Sequence, residues 1–342
     1  MLERALNAKA KRSARYHEGS CLSDLSFCEY DDIFIGCMEN NEPVMQVMPC
    51  NGDHAMDEDG KFRWTLKDVM RASLGVVGES ALGVTEKVVC TRGRLCVLKR
   101  FRMVGIKRAR FERRVKRLAA IGQCCDYIVP MKGYLYSKRF KFVVCDYYPM
   151  GSLYDLLIGA REHGHTPLTW RKRLKIILHI AKAISFIHSQ SSTKERSMII
   201  NVHGNLKTSN IMIDVDFNAY VSNFGFTQLA IEACDIGQQR RSPSPHYQPP
   251  TLHEPSSQKN DIYHFGIIVL DILGGAKALE SIEWDFERKE EVKDEKCDFF
   301  EFPFEVKDRG KVFMVWNMAL ACTNRTREAR PSIENILMHL SK

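Results

Sequence analysis

The apolar residues of this chain change their spacing once, near Asp146, and no other feature restricts the fold as strongly. From about Lys61 they come in strand-length runs at 84–89, 95–98, 128–136 and 140–145, rich in β-branched and aromatic residues and separated by glycine or charged turns. One helix interrupts them, because Phe111, Val115 and Leu118 recur at i, i+4 and i+7 and form a single buried stripe. Beyond Asp146 the spacing is helical. Thr169 stands as N-cap to a long helix whose buried face is Leu174, Ile177, Leu178, Ala181, Ile184 and Ile187. Helices follow over 261–273, 311–322 and 331–340, the last opened by a first-turn proline. Short strands are expected at 199–202 and 211–213, and the charged stretch 281–310 reads as a surface excursion. The fold class predicted is α+β and bilobal, with a small β-rich lobe over about 61–146 and a larger helical lobe over about 147–342.

Residues 1–60 show no sustained period and read as a mobile tail with one short strand near 33–37. Charge is segregated there. Residues 1–17 hold five Lys/Arg and one acid, while 18–60 hold eleven acids and no Lys or Arg, although the whole chain is net +8. A solvated tail beside a basic body, or an electrostatic docking segment, accounts for such a pattern. With 44% hydrophobic and 27% charged residues the chain has a core to bury, which excludes collagen-like, coiled-coil and wholly disordered classes. The densest apolar segments, 173–188 and 265–273, are too broken by charge or too short for the ~20 apolar residues of a spanning helix. The first residues, MLERALNAKAKR, contain no apolar run of signal-peptide type. Twelve cysteines without any CxxC spacing read as reduced, mostly buried thiols.

Four motifs follow one another in a recognisable order. Asp146-Tyr147-Tyr148-Pro149-Met150-Gly151-Ser152-Leu153 precedes Val202-His203-Gly204-Asn205-Leu206-Lys207-Thr208-Ser209-Asn210. Ser222-Asn223-Phe224-Gly225 and Lys259-Asn260-Asp261-Ile262-Tyr263-His264-Phe265-Gly266 come next. Through these motifs the chain from about Phe62 to Lys342 resembles a eukaryotic protein kinase domain. The resemblance is strongest to cytoplasmic domains of plant leucine-rich-repeat receptor-like kinases of the inactive type. It implies the bilobal protein-kinase-like fold, with these motifs as hinge, catalytic loop, metal-binding motif and helix start.

A kinase acts mainly by positioning ATP, metal and acceptor hydroxyl. By resemblance the nucleotide-binding positions are Gly78, Gly83, Lys99, Asp146, Tyr147, Lys207 and Asn210. Several companions are altered. In Gly78-Glu79-Ser80-Ala81-Leu82-Gly83 the middle glycine of the phosphate loop is Ser80, and Glu79 brings negative charge; a plain β-hairpin is the alternative reading. Val97 and Thr85 stand where a small alanine and a valine line the adenine slot. Arg114 occupies the position of the glutamate that pairs with Lys99, and Glu112 lies about 200° away around the helix. Asn205 replaces the catalytic base, and a neutral amide does not take up the acceptor's proton. Asn223 replaces a magnesium-binding aspartate, and Gly204 the arginine that reads a phosphorylated activation segment. No catalytic residue and no metal site is therefore expected, no cofactor is required, and ATP binding is expected to be weak or absent.

The architectural positions are kept by the same comparison. Leu118, His203 and Phe224 fit the stacked hydrophobic spine, and Asp261 fits the aspartate that anchors the catalytic-loop backbone. Pro249-Pro250-Thr251 stands where a glutamate should pair with Arg330, which must find another acceptor or face solvent.

Between Lys99 and Arg117 ten of nineteen residues are Lys or Arg and one is acidic. Arg100, Arg102, Lys107, Arg108, Arg110, Arg113, Lys116 and Arg117 are accordingly anion-binding candidates, against an ordinary solvated face. Nucleic acid is disfavoured because no interleaved aromatics accompany them. Ser242 and Ser244, in Arg240-Arg241-Ser242-Pro243-Ser244-Pro245, are phosphoacceptor candidates. The function expected is a catalytically silent pseudokinase, a scaffold or allosteric binding module whose partners are signalling proteins, receptor kinases among them. A weak Ser/Thr kinase, and a peripheral-membrane adaptor binding anionic groups, are the alternatives. The expected location is cytoplasmic, with the inner face of the plasma membrane reached through partners.

Overall fold

The computed structural model describes residues 71–89, 95–191, 198–230, 256–280 and 300–341, together with Val69 and three two-residue strands before it. The strand proposed at 33–37, Ser242 and Ser244, Pro249-Pro250-Thr251 and most of the 281–310 excursion lie outside the described residues. Two compact units emerge, residues 1–104 with 131–147, and residues 105–130 with 148–342.

The first unit is built on a six-stranded sheet. Strand β1 (Met38–Glu39) pairs with β2 (Glu42–Pro43) apart from it. The sheet itself contains β3 (Gln46–Val47), β4 (Ser73–Glu79), β5 (Gly83–Val89), β6 (Leu95–Phe101), β7 (Met131–Tyr136) and β8 (Lys141–Asp146), in the order β3-β7-β8-β6-β5-β4. Its pairs are antiparallel, as β5 against β6 from Gly83↔Phe101 to Val89↔Leu95. Alternation sends Val88, Cys96, Leu98, Leu135, Phe142 and Val144 into one apolar cluster. Two features were not read from the sequence. Strand β4 has exposed apolar residues and two irregularities in register, so it shows no two-residue alternation. Strand β3 adds an edge to the sheet from inside the segment assigned to the tail. Cys96 is disulfide-bonded, against the expectation of reduced thiols, whereas Cys124, Cys125, Cys145 and Cys322 are free. A spacing rule sees only neighbouring cysteines, not sulfurs brought together by folding.

The second unit is helical. It includes α1 (Arg108–Gln123), which the sequence reading had put in the β-rich lobe. Helix α1 buries Phe111, Val115 and Leu118 as its period requires. Helix α2 (Leu153–Glu162) starts with a capping box, the Ser152 hydroxyl accepting from Asp155 N–H while the Asp155 carboxylate accepts from Ser152 N–H. Helix α3 (Trp170–His188) begins after Thr169, although the threonine side chain makes no cap bond. Of the expected face, Ile177, Ala181, Ile184 and Ile187 are buried, while Leu174 and Leu178 are only partly so and Arg173, Ile176 and Ile180 are buried beside them. The buried guanidinium of Arg173 is satisfied there: it donates to the Leu168 and Ile272 carbonyls and lies 4.4 Å over the Phe302 ring, and burial lowers its pKa to about 10. Strands β9 (Ile211–Ile213) and β10 (Ala219–Val221) form a hairpin, followed by α4 (Phe226–Ala230). Helix α5 (Gln258–Glu280) is bent at Gly275, where φ is 56°, and α6 (Arg309–Cys322) and α7 (Ile333–Ser341) close the unit. The strand expected at 199–202 is absent. The side-chain amide of Gln228 serves both Ile199 N–H and Ile199 C=O, so this backbone is satisfied without a partner strand. Among the described residues no helix is long and apolar enough to cross a membrane.

Candidate functional site

In the first unit the loop between β4 and β5 closes as a tight hairpin. Ser80 N–H donates to Gly83 C=O at 2.9 Å, Gly83 N–H returns to Ser80 C=O at 3.2 Å, and the Ser80 hydroxyl donates to the same Gly83 carbonyl. The Ser80 and Gly83 N–H groups are thus used within the turn. Gly83 is required for packing, because a Cβ there would stand 1.9 Å from the Arg100 carbonyl oxygen, while at Gly78 it would meet Thr85 Cβ at an ordinary 3.9 Å. Glu79 is held by Arg102 at 3.0 Å. Lys99 lies opposite Thr85 on one side and Val143 on the other, and burial lowers its pKa, partly offset by the neighbouring Cys145 thiol. That thiol is itself pushed up to about 11 by burial. Val97 is buried opposite Cys145. Asp146 pairs with Lys132 at 3.3 Å, and the Tyr147 hydroxyl accepts from Lys87, whose ammonium lies 4.4 Å from the ring centre.

In the second unit the loop leading to a short 3-10 turn (Thr208–Asn210) brings Asn205, Asn210 and Asn223 together. The Asn223 side-chain amide donates to Asn210 Oδ1 at 2.7 Å, and Asn210 Nδ2 donates to the Asn205 carbonyl at 2.8 Å. Asn223 adopts φ of 69°, a left-handed conformation that asparagine tolerates better than most residues. Lys207 is exposed. The chemistry of this set is that of neutral amides. Three asparagines bring no negative charge to a divalent cation, and Asn210 Oδ1 already accepts from Asn223. Among the described residues no group of three or more His, Cys, Asp or Glu side chains could hold a metal ion.

Beside the amides stands an intact anchor. Buried Asp261, at the start of α5, accepts from His203 N–H at 2.7 Å and Gly204 N–H at 2.8 Å, and its carboxylate lies 3.0 Å from His188 Nε2. Gly204 has φ of 72°, which a side chain would strain. The His203 and Phe224 rings are 6.2 Å apart, and Leu118 packs so closely on Gly225 that a Cβ there would clash. Arg114 is 1% exposed and donates to the Gln228 carbonyl at 2.6 Å. Its acceptor could not be read from the sequence, since 114 residues separate the two. Arg330 is also buried: it donates to the Asn324 and Lys259 carbonyls and stacks 4.8 Å from Tyr263. Backbone oxygens supply the acceptors it was expected to need. A further, half-buried network, Arg161 with Asp271 at 2.9 Å and Glu301 at 2.6 Å, was missed because its members come from distant helices and loops.

The anion-binding candidates separate. Arg100 pairs with Glu86 at 2.5 Å, Arg102 with Glu79, and Arg108 with Glu112 at 2.7 Å, so these three are already neutralised. Lys107, Arg113, Lys116 and Arg117 are exposed, and Arg110 is half-buried.

The model of the protein kinase domain matches residues 72–340. A probable inactive receptor kinase of Arabidopsis thaliana is 30% identical over 82% of this chain and 44% of its own length. A probable leucine-rich repeat receptor-like protein kinase of the same plant is 33% identical over 69% of this chain and 34% of its own. The chain therefore spans less than half the length of these curated relatives. Among solved structures, the pseudokinase domain of BIR2, an immune regulator of the RLK/Pelle family, superposes with a TM-score of 0.66 at 20% identity, over 88% of this chain and 90% of that one. The maize SIRK1 kinase domain bound to AMP-PNP gives 0.61 at 22% identity, over 81% of this chain and 95% of that one.

Proposed function

Because the chain belongs to the protein kinase domain family, over residues 72–340, we propose that it is a catalytically silent pseudokinase serving as a scaffold or allosteric binding module in receptor-type signalling. The observation that carries this reading is the amide chain from Asn223 through Asn210 to Asn205. Magnesium is a hard cation that favours carboxylate oxygen, and phosphoryl transfer depends on metal to neutralise developing charge. These residues do not fit that ion. Proton removal from an acceptor hydroxyl also lacks a group, since Asn205 has no carboxylate. The closed Ser80–Gly83 turn and the buried Val97 act in the same direction, against nucleotide. The similarity to Arabidopsis relatives named as inactive receptor kinases supports the same reading for this chain. Its partners are signalling proteins, receptor kinases among them, met on the cytoplasmic side of a membrane.

Phosphoryl transfer is tested with purified full chain, labelled ATP, magnesium or manganese, and a generic protein substrate. Incorporation no higher than in a Lys99→Ala control is expected, and incorporation clearly above it overturns the proposal. Nucleotide is tested by melting. A ligand at 100 times its dissociation constant stabilises a fold by about 2.7 kcal/mol, which such a measurement registers easily. No magnesium-enhanced shift is expected; a clear one would restore the reading as a weak Ser/Thr kinase acting through Lys99, Lys207 and Asn210.

A further inference from the structure

Helix α1 carries a basic face that its fold does not explain. At 100° per residue, Lys116, Ala109, Ala120, Arg113 and Arg117 occupy an arc of about 100°, opposite the side that buries Phe111, Val115 and Leu118. All five residues of the arc are exposed. Among the described residues Arg113, Lys116 and Arg117 have no carboxylate within ion-pair distance, nor does Lys107 at the N-cap, in contrast to Arg100, Arg102 and Arg108. The placement is unfavourable for the helix itself. Its first turn contains no acid, although the N-terminal end of a helix favours negative charge, and Arg113 faces like charges at i+3 and i+4. A merely solvated face would be served as well by mixed charges.

We propose that this face of α1 docks a phosphorylated peptide segment of a protein partner. Arg113 and Arg117 are one turn apart, about 6 Å along the axis, so their planar forks can take one phosphate dianion between them, with Lys116 beside it. Ala109 and Ala120, in the middle of the arc, leave the helix surface low enough for a peptide backbone to approach. The same small residues argue against a bilayer as the occupant, because membrane-surface helices present large apolar side chains to the lipid and this arc presents none.

The test is fluorescence anisotropy of the full chain with a labelled, doubly phosphorylated Gly/Ser peptide, its unphosphorylated twin, and vesicles of phosphatidylcholine with phosphatidylserine. Saturable binding of the phosphopeptide at low salt, lost as salt rises, is expected. The double variant Arg113→Gln/Arg117→Gln should weaken it by about tenfold or more, and Arg102→Gln, an exposed arginine already paired, should leave it unchanged. Removing exposed like charges does not threaten folding, and Ala109→Glu, which sets an acid inside the arc, provides a second variant that should weaken binding in the same way. Failure to bind at low salt, equal binding of the unphosphorylated peptide, equal loss in Arg102→Gln, or binding to vesicles alone would overturn the proposal.

Discussion

His203 and Gly204 give their backbone N–H groups to the carboxylate of Asp261, whereas Asn205, the next residue, is joined to Asn210 and Asn223 through neutral amides. The two networks share one loop and differ in what they are for. The first is a buried charge satisfied by fixed donors and holds the backbone in shape. The second joins neutral amides and contains no carboxylate. A charged anchor and an uncharged network thus stand within a few residues of each other, and each satisfies the backbone and side-chain groups it meets.

The comparison breaks most severely at Asp261. Asp261→Ala leaves two buried N–H groups and His188 without their acceptor, and should cost about 3–5 kcal/mol. At about 2–4 °C per kcal/mol, the melting temperature should drop on the order of 10 °C. A change below about 1 kcal/mol would show that the anchor does not hold the loop.

Asn210→Ala tests the second network by the same measurement. It leaves the Asn223 amide and the Asn205 carbonyl without these partners, and should cost about 1–3 kcal/mol, less than the anchor because two bonds between neutral groups are lost rather than three to a buried carboxylate. If the two variants proved equal, the amide chain would be as structural as the aspartate.

Acid acts on a histidine outside both networks. His179 accepts from Ala219 N–H through Nδ1, and burial, reinforced by Lys175 and Lys182, lowers its pKa to about 4. The ring is neutral in the fold, so its contribution is complete above pH 6.5 and is lost as pH falls from 6.5 towards 4. Because the ring is partly exposed, the loss should be only about 1–2 kcal/mol after screening. Denaturant melts of wild type and His179→Gln over that interval should differ in slope; parallel curves would remove His179 from the account.

Asn223→Asp has the smallest effect on stability and sharpens the comparison most. Without metal it should cost about 1 kcal/mol, the net worth of one hydrogen bond, because the carboxylate meets Asn210 Oδ1, and an Asn210 amide turned to donate to it gives up its bond to the Asn205 carbonyl. A magnesium-dependent melting shift should appear in this variant and be missing from wild type. A shift of the same size in both would mean that the amides bind the ion after all.

The sequence by itself determined the fold class, the stripe Phe111, Val115 and Leu118, and the place of the anchor Asp261. These are matters of period and of motif, which act between residues close in the chain or at recognisable spacings. Tertiary structure alone decided the rest. It grouped α1 with the helical unit, and it buried Arg173 on α3, whose guanidinium found the Ile272 carbonyl and the Phe302 ring. It replaced the strand expected at 199–202 with backbone satisfied by Gln228, and it divided one basic run into paired arginines and an open face. Apart from Arg108 and Glu112, one turn apart on α1, the deciding partners lie on other elements, and a hydrogen bond or ion pair is settled by distance in space, which the order of residues does not state.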